Sequence, residues 1–556
     1  PNQCALLTLS EPRISMRVLL VALALLALAL CEEQLASVTL EADGTYRIHS
    51  GIVAPNSIAW AVLSDETDEN GWNFLSLHSD ASVDGTDNGF YAAGILEGYM
   101  MAEGITFQIQ AAKEADYSPW NLHYPTAAVS YVESQMEWMK NESDSQRHYS
   151  LYWDLVGNYL SFVEGLQAGY SLSPMSYVDE FTGIVYEGTP FDVLMLQYMA
   201  EIADVLAWLY PEATVEATSP EEFWDVNTHC TGAVRLTPDN SDVFMAHATW
   251  IYTNMARKTG KRHYMDNPRT QVEHIAFSSY PGVVTSCDDF YMNSEGIVVF
   301  ETSYGIFNHD LYDAYMTPKS VPTWMRTQVA NWIATSPMDW TSEFGKENSG
   351  TYNNQWLVLQ SNMFAPGSPP PAGFVYKMEM APGFYRAWDA TDELIDNGYI
   401  PSVNVPTDPF IANITGYAAK AWDPYYSYED CARYQIFQEL MPEVESFEEF
   451  QSFMRYNNYL SDPLTNNDPG QTIAARYDLR DPALCGRSPV PMSAIDCKAV
   501  NMHMARRQQA SVIAGPTDDR VPTFSFSGYG AEQDTTVYHA GIPDTFPSQW
   551  VQFTEQ

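Results

Sequence analysis

A single cysteine, Cys230, stands at the start of a strand-like run in the stretch NTHCTGAVRLTPDNSDVFMAHATW (227–250). No other cysteine lies within fifty residues on either side of it. A thiol in this position could be a buried core group, half of a disulfide, a metal ligand or a nucleophile. By residue type alone, an inert buried thiol is the commonest of the four.

The position of Cys230 favours the fourth alternative, because a long acidic loop leads directly into it. The thiol could attack the carbonyl carbon of His229 and form a thioester, which water would then open. Cys230 would become a new N-terminus, and its freed α-amine, with an ordinary pKa of about 7.7–8, would serve as a base. The pattern therefore predicts a nucleophile at Cys230 and a cleavage site between His229 and Cys230.

Motifs of other chemistries are missing from the sequence. There is no CxxC and no HExxH pattern, and no histidine is spaced to bind a metal with a second soft ligand near Cys230. The fingerprints of serine hydrolases, P-loop proteins and dinucleotide-binding proteins are also missing. Adjacent carboxylates such as Asp288 and Asp289 are expected to be solvated in so acidic a chain. We therefore predict no metal site and no cofactor.

The cysteine count is informative about disulfides. Of seven cysteines, Cys4 and Cys31 fall in a predicted leader, which leaves five. Five is an odd number, so at least one thiol stays unpaired in an oxidising compartment. Cys485 and Cys497, which lie twelve residues apart across a proline-rich loop, are the predicted disulfide.

The charge of the chain excludes some classes of partner. It has 71 acidic and 27 basic residues, for a formal net charge of −44. Such a surface repels nucleic-acid phosphates and anionic lipid headgroups at neutral pH. It fits either an ordinary secreted protein or one that works in a lysosome-like compartment, where carboxylates approach their pKa of about 4.

The N-terminal region predicts entry into the secretory pathway. From Met16 the sequence MRVLLVALALLALALCEE has one arginine, an apolar run and an acidic exit, so we assign residues 1–31 to a leader. No later run approaches the roughly 18 apolar residues of a membrane span. The sequons at Asn141 and Asn413 predict glycosylation on the same route.

The elements that position Cys230 change character at that residue. Apolar spacing predicts helices over 88–105, 158–170 and 191–210, followed by a surface loop over 211–229. After it, short runs rich in β-branched and aromatic residues predict strands. These runs are CTGAVRLT (230–237), DVFMAHATW (242–250), GVVTSCDDFYMN (282–293), GIVVFETSYG (296–305) and QWLVLQSN (355–362). A mostly helical fragment 32–229 thus meets a strand-rich fragment 230–556, and the two are expected to form one domain.

These stretches resemble the phospholipase B-like (lamina ancestor) family of N-terminal-nucleophile hydrolases. HCTGAVRLTPDNSDVFMAHATW and SGTYNNQW are the most specific, and the others follow in order along the chain. They are SSYPGVVTSCDDFY (278–291), MAPGF (380–384), PSVNVP (401–406), ARYQIFQ (432–438), RYNNYLSDP (455–463) and AARYDL (474–479). The resemblance implies an α+β fold of four αββα layers, with two stacked antiparallel sheets between helices. It also implies one precursor cut into two fragments that stay associated.

The resemblance further implies roles for residues around the thiol. His247 and Trp250 would lie on the next strand and line the pocket, together with Ser303. Asn404 would donate its amide to the oxyanion hole. Arg433 would orient the site by charge-assisted hydrogen bonds and, with His247, would favour a thiolate. On residue type alone these would be core residues, a turn former and a surface ion-pair partner.

The implied activity is hydrolysis of an acyl ester of a (phospho)lipid through a cysteine thioester. Acyl-transfer chemistry suits an amide equally well, so an amidase acting on N-acyl amides or peptides is the alternative. A third alternative, from a different class, is a non-catalytic lipid- or glycan-binding protein on the same fold. The expected partners are a lipid or an N-acyl small molecule and no nucleic acid, and the sequence leaves the oligomeric state open.

Overall fold

The structure is a computed structural model. It describes residues 33–117, 120–173, 176–178, 183–211 and 230–554. The predicted leader 1–31, the predicted loop after residue 211 and His229 lie outside the described residues.

Short strands make up much of the fold. In chain order they are β1 (Gln34–Leu40), β2 (Tyr46–Ser50), β3 (Ala59–Glu66), β4 (Trp72–Ser79), β5 (Ser176–Val178), β6 (Val185–Glu187), β7 (Thr231–Leu236), β8 (Val243–Ala248), β9 (Trp250–Tyr252), β10 (Lys258–Met265), β11 (Ile275–Ser279), β12 (Phe290–Asn293), β13 (Ile297–Ser303), β14 (Asn354–Gln360), β15 (Val375–Ala381), β16 (Phe384–Asp389), β17 (Tyr399–Ser402), β18 (Met492–Ala494), β19 (Asp496–Asn501), β20 (Ala510–Ala514) and β21 (Val551–Phe553).

The larger sheet has eleven strands in the order β16-β15-β14-β13-β12-β11-β10-β4-β3-β1-β2. Its neighbouring strands are antiparallel except for β4 and β10, which run parallel with Trp72 opposite Lys258. β4 precedes Cys230 in the chain and β10 follows it. This parallel pair therefore joins the two predicted fragments within one sheet.

The smaller sheet has six strands in the order β17-β7-β8-β19-β20-β21. β7 begins directly after Cys230, and its register with β8 places Gly232 opposite His247. On the other side of β8, His247 lies opposite Lys498 of β19. Two short pairs, β5 with β6 and β9 with β18, stand apart from both large sheets.

The two large sheets pack face to face. Gly232 of β7 lies against the ring of Phe300 on β13, where any Cβ would overlap the ring. Farther along, the rings of Phe74 on β4 and Phe553 on β21 stack with centroids 5.8 Å apart. The hydrophobic core thus fills the space between the sheets.

The longer helices cover the outer faces. Those of eight or more residues are α1 (Thr86–Met100), α2 (Ala102–Tyr117), α3 (Thr126–Gln146), α4 (Leu151–Tyr170), α5 (Pro190–Gln197), α6 (Ile202–Leu209), α7 (Thr323–Ile333), α8 (Pro337–Phe344), α9 (Ala432–Leu440), α10 (Phe447–Met454) and α11 (Phe526–Gln533). Shorter helices span Thr67–Asn70, Ala81–Asp84, Asp310–Tyr315, Thr391–Asn397, Pro409–Thr415, Tyr417–Lys420, Pro482–Cys485 and Met502–Ala505. None of the described helices is both long and apolar enough to cross a membrane.

Each sheet has its own helical layer. α1 packs on β3 and β4 of the larger sheet, and α4 crosses α1 so closely that a Cβ at Gly94 would meet the backbone carbonyl of Phe162. On the smaller sheet, α9 and α10 cover β7 and β8, with the rings of Phe244 and Phe450 5.6 Å apart. The predicted α+β fold of four αββα layers is confirmed, with one parallel pair in its larger sheet.

Several predicted elements need correction. The fragment before Cys230 is mostly helical in its described residues, as predicted, but it also contains β1 to β4, four strands of the larger sheet that were not predicted. The predicted helix 191–210 breaks after Gln197, where two turns lead into α6. Of the predicted strand 282–293 only β12 forms. The first half of this segment is a loop. Its backbone carbonyls accept hydrogen bonds from side chains such as those of Gln197 and Ser279, and not from the backbone of a neighbouring described strand.

The predicted disulfide between Cys485 and Cys497 is wrong for this structure, in which both thiols are free. Cys485 ends a four-residue helix at the surface, and its thiol points at the carbonyl of Asp481. Cys497 is buried on β19 in the apolar layer that α9 and α10 cover. The two side chains lie in different environments, which spacing in the sequence did not reveal.

Candidate active site

Cys230 lines a small cavity of about 90 Å³ that both halves of the chain enclose. Ala115 and Asp116 at the end of α2, together with Met199, Ala200 and Ala203, form the wall from the N-terminal half. The C-terminal half contributes Cys230, Thr249, Trp250, Ile251, Tyr252, Met255, Cys287, Ser303 and Tyr352. The nucleophile candidate therefore has a mostly apolar recess beside it.

The backbone at Cys230 is unusual, since its φ is +125°. That region favours glycine, and a residue with a Cβ held there stores on the order of 1–3 kcal/mol of strain. The side chain is 5% exposed. Burial raises the pKa of the Cys230 thiol well above its ordinary value, and the nearby Glu301 adds to the rise. In the intact chain the thiol is therefore protonated.

Arg433 connects the nucleophile to the rest of the site. It lies in the first turn of α9, and its guanidinium donates to the carbonyl of Cys230 at 2.7 Å and to Oδ1 of Asn404 at 2.7 Å. The same group donates to the carbonyl of Val403 and lies 4.6 Å from the centre of the Trp250 ring. Arg433 thus fixes three site residues at once, and it is no surface ion-pair partner.

Asn404 follows β17 in a left-handed conformation, with φ of +64°. Its Oδ1 accepts from Arg433, and its Nδ2 donates to the carbonyl of Ser303 at 2.5 Å. These two bonds fix which end of the amide is the donor. An amide nitrogen carries two hydrogens, so the bond to Ser303 uses only one of the two N–H groups of Asn404.

His247 lies on β8 and is fully buried. Within the described part of the chain neither of its ring nitrogens makes a well-formed hydrogen bond, and the backbone of Glu301 acts on the ring only weakly. Burial lowers the pKa of His247 well below its ordinary value, and the charge of Lys498 lowers it further. The imidazole is therefore neutral, and Arg433 contacts the carbonyl of Cys230 instead of its sulfur. The prediction that these two residues favour a thiolate concerns the cleaved protein, and it stays a prediction.

A pair of buried carboxyl groups near the thiol was missed. Tyr352 OH lies 2.6 Å from Oδ2 of Asp289 and 2.9 Å from Oε1 of Glu301 and can donate its one hydrogen to either, while Asn354 donates to the other oxygen of Glu301. Burial raises the pKa of Glu301 to about 7, and burial together with Glu301 raises the pKa of Asp289 well above its ordinary value.

The expectation that Asp288 and Asp289 are solvated is also wrong, since both are buried. A useful indication was present in GIVVFETSYG, where Glu301 interrupts an apolar strand two residues before Ser303. A charged residue inside a buried strand needs a partner or a function. Spacing could not show that Cys230, His247 and Glu301 would meet, yet their Sγ, ring nitrogen and carboxylate oxygen all lie within 4.8 Å of one another. These are atoms that could hold a metal ion.

Comparison with known proteins gives consistent relatives. A family model described as Phospholipase B matches residues 59–553. Phospholipase B-like protein C of Dictyostelium discoideum is 32% identical, over 93% of this chain and 91% of that protein. Phospholipase B-like protein B of the same organism is 29% identical, over 93% of this chain and 89% of that protein.

Among solved structures, penicillin V acylase from Agrobacterium tumefaciens aligns with a TM-score of 0.27 and 12% identity, covering 51% of this chain and 83% of that one. The family model spans most of the chain, including the cavity and the residues that Arg433 connects. The chain belongs to the phospholipase B family.

Proposed function

We propose that this protein, a phospholipase B-like hydrolase by family, hydrolyses acyl bonds with Cys230 as its nucleophile. The observation that carries the proposal is the geometry around Arg433, which binds the carbonyl of Cys230 and the amide of Asn404, while Cys230 itself lines the cavity. A nucleophile, an amide donor and an apolar recess are the parts that acyl transfer requires.

The first reaction of Cys230 is on its own chain. Its sulfur attacks the carbonyl carbon of His229, the peptide C–N bond breaks, and the thiol proton passes to the departing nitrogen. Water then hydrolyses the thioester, which leaves a carboxylic acid on His229 and a free α-amine on Cys230. The positive φ of Cys230 supports this step, because cutting the bond releases the strain there.

The same residue then turns over substrate. The α-amine accepts the thiol proton, which the pKa of the buried sulfur otherwise retains, and the sulfur attacks the acyl carbon. The second N–H of Asn404 stabilises the oxyanion, a contribution on the order of 2.7–4 kcal/mol in other enzymes. The leaving group departs with the proton, and water releases the acid from the thioester.

The substrate we propose is an acyl ester of a (phospho)lipid. Family membership supports the ester, and the apolar side chains of Trp250, Ile251 and Met255 in the cavity wall support an acyl chain as the bound group. An N-acyl amide fits the same chemistry and is the alternative. Release of leaving groups from matched esters and amides distinguishes the two.

We further propose that the protein travels the secretory pathway to a lysosome-like compartment or to the outside of the cell. The exposed positions of Asn141 and Asn413 support glycosylation at both sequons. Strand pairing between β4 and β10 supports the continued association of the two fragments after cleavage.

N-terminal sequencing of the protein purified from a secretory host tests the proposal. We expect two co-purifying fragments of roughly 22 and 37 kDa before glycosylation, the larger of which begins at Cys230. The same preparation is then assayed for fatty-acid release from phosphatidylcholine vesicles and from N-acyl amides. An uncut chain with full activity contradicts self-cleavage, whereas a cut chain inactive on both substrates supports a binding protein instead.

A further inference from the structure

Three side chains with different ligand chemistry meet beside the cavity. They are Cys230, His247 and Glu301, and the ligand atoms of all three lie within 4.8 Å of one another. All are buried, with exposures of 5%, 0% and 0%. A thiolate, an imidazole and a carboxylate are the ligands that proteins offer to Zn²⁺ and similar cations.

His247 independently indicates a missing ligand. Both of its ring nitrogens are buried, and among the described residues neither makes a well-formed hydrogen bond, which is unfavourable for a polar group; only the backbone of Glu301 is close enough to act weakly on the ring. One of these nitrogens lies within 4.8 Å of Cys230 Sγ and of a Glu301 oxygen, the two atoms with which it could share a metal ion. A bound cation would satisfy this nitrogen, and an apolar substrate would not.

Glu301 is oriented as metal-bound carboxylates are. Asn354 donates to one of its oxygens, and Tyr352 OH, whose one hydrogen Asp289 also competes for, lies 2.9 Å from the other. Hydrogen bonds from surrounding residues hold the ligands of metal sites in the same way. Each carboxylate oxygen keeps a further lone pair, so these two bonds leave Glu301 able to bind a cation.

We propose that Cys230, His247 and Glu301 form a site for a soft divalent cation of the Zn²⁺ class, which reversibly blocks the nucleophile. On binding, the sulfur–metal bond forms, the thiol proton leaves to solvent, and no group is oxidised or reduced. In a tetrahedral Zn²⁺ site such ligand atoms are about 3.5 Å apart, so ligand atoms that lie up to 4.8 Å apart must approach by up to about 1.3 Å. The cation enters through the cavity that Cys230 lines.

A fourth ligand becomes available if the proposed self-cleavage occurs. The α-amine of Cys230 and its sulfur can bind one ion together in a five-membered ring, whereas the peptide nitrogen of the uncut chain is a poor ligand. The amine ligand rests on the proposed function, whereas the site formed by the three side chains does not depend on it. Cleavage would then strengthen cation binding at the residue that it activates.

Titration of the reduced, metal-free protein with Co²⁺ alone tests the site. We expect one equivalent to bind, with a near-ultraviolet thiolate-to-cobalt absorption band that Zn²⁺ abolishes by displacement. The band should be missing from Cys230→Ser. In the same preparation, Zn²⁺ should inhibit hydrolysis, and a chelator should restore it.

Glu301→Gln and Asp289→Asn form a matched pair of variants. Both change a buried carboxyl that accepts from Tyr352 OH, but only Glu301 belongs to the three-ligand cluster. We expect Glu301→Gln and His247→Gln to weaken Co²⁺ binding at least tenfold, and Asp289→Asn to change it less than threefold. Equal weakening by the two carboxyl variants would overturn the site.

The outcomes separate this inference from the proposed function. An enzyme that turns over substrate but binds no Co²⁺ at Cys230 overturns the metal site and leaves the function standing. A protein that binds Co²⁺ through Cys230, His247 and Glu301 but hydrolyses no substrate overturns the proposed function and leaves the metal site standing. A cobalt band that persists in Cys230→Ser places the ion elsewhere and also overturns the site.

Discussion

Two buried polar clusters in this molecule balance their charges in opposite ways. The first, here the paired cluster, consists of Lys258 on β10, Asp288, and Asp496 and Lys498 on β19. Lys258 lies 2.7 Å from Asp496, Lys498 lies 2.8 Å from the same carboxylate, and Lys258 also binds Asp288. All four side chains are fully buried, and the cluster joins the two sheets.

The second cluster is the site carboxyl pair, Asp289 and Glu301. They share the hydroxyl of Tyr352, and no described lysine or arginine forms an ion pair with either. The consequence appears in their pKa values. Burial alone would raise the pKa of Asp496, but its two lysines outweigh burial and lower it, whereas burial raises the pKa of Asp289 without opposition from an ion pair.

This difference indicates separate roles for the two clusters. Compensated charges such as those of Asp496 hold their partners in place, and removing one leaves the others buried and unpaired. The carboxyl groups near Cys230 form no such ion pairs and therefore do not stabilise the fold in this way. They keep a proton, or a ligand position, available where chemistry is expected. Variants in each cluster should therefore affect different measurements.

The largest expected effect is on activity, from Cys230→Ala. Removing the attacking sulfur should leave the chain uncut and lower hydrolysis by at least about 10⁴-fold, as loss of a nucleophile does in other enzymes. The melting temperature should fall by only a few degrees, because one small side chain is lost. Cys230→Ser should cut slowly, since an alcohol is a weaker nucleophile. Gel analysis, the hydrolysis assay and thermal melting measure the three quantities.

Cys497→Ala is the matched control for this prediction. Its thiol is equally buried but lies on β19, away from the cavity. We expect normal cleavage and near-normal activity. If Cys230→Ala is cut at the same bond and still hydrolyses substrate, Cys230 is a structural thiol and the proposed mechanism is wrong.

The second effect is on stability, from Asp496→Asn. It leaves Lys258 and Lys498 without their shared carboxylate, and breaking a buried ion pair in this way typically lowers the free energy of unfolding by about 3–5 kcal/mol. Asp289→Asn should change it by less than about 1 kcal/mol near neutral pH, because the carboxyl it replaces already holds its proton. Urea unfolding followed by tryptophan fluorescence compares the two.

If Asp496→Asn and Asp289→Asn lowered the free energy of unfolding by similar amounts, the distinction between the clusters would be removed. A third variant, Asp288→Asn, sharpens it from within the paired cluster. Asp288 binds Lys258 but lies 4.0 Å from Lys498, so its loss should fall between the other two. An ordering with Asp288→Asn as the mildest of the three would show that this ion pair contributes little.

The sequence predicted much of this arrangement, for identifiable reasons. Short apolar runs with turn residues between them specified β7, β8, β13 and β14, because each strand is buried and its pattern is local. The resemblance in HCTGAV, PSVNVP and ARYQIF brought together Cys230, Asn404 and Arg433, which the structure joins by hydrogen bonds. Composition alone would have left Arg433 on the surface.

What the sequence could not supply depends on contacts between distant residues. Asp289 and Glu301 resemble any other acids in a chain with 71 of them, and only the fold brings both to Tyr352. The pairing of Cys485 with Cys497 failed for the same reason, since spacing says nothing about which side of a sheet a thiol faces. The neutral state of His247 likewise follows from burial between two sheets.

The smallest expected effect concerns a third kind of buried carboxyl, which has no lysine partner and lies outside the site. Glu201 precedes α6 and accepts from the backbone N–H of Trp324 at 3.0 Å. Burial raises the pKa of Glu201 to about 8. The hydrogen bond from the Trp324 backbone and the charge of Arg326 oppose this rise in pKa, and the charge of Asp204 adds to it. Because the folded pKa lies above the unfolded value, the protonated form is the one that stabilises the fold. This contribution is fully present below about pH 4.5 and is lost as pH rises through about 8.

Glu201→Gln keeps an oxygen that can accept from Trp324 but cannot ionise. Between pH 5 and pH 7.5, wild type should therefore lose more stability than Glu201→Gln, by on the order of 1–3 kcal/mol, because one unit of pKa shift corresponds to about 1.4 kcal/mol. Melting temperatures across this pH range measure the difference, with Glu429→Gln, at an exposed glutamate, as the control that should follow wild type. If Glu201→Gln and wild type lose stability in parallel, Glu201 is ionised in the fold.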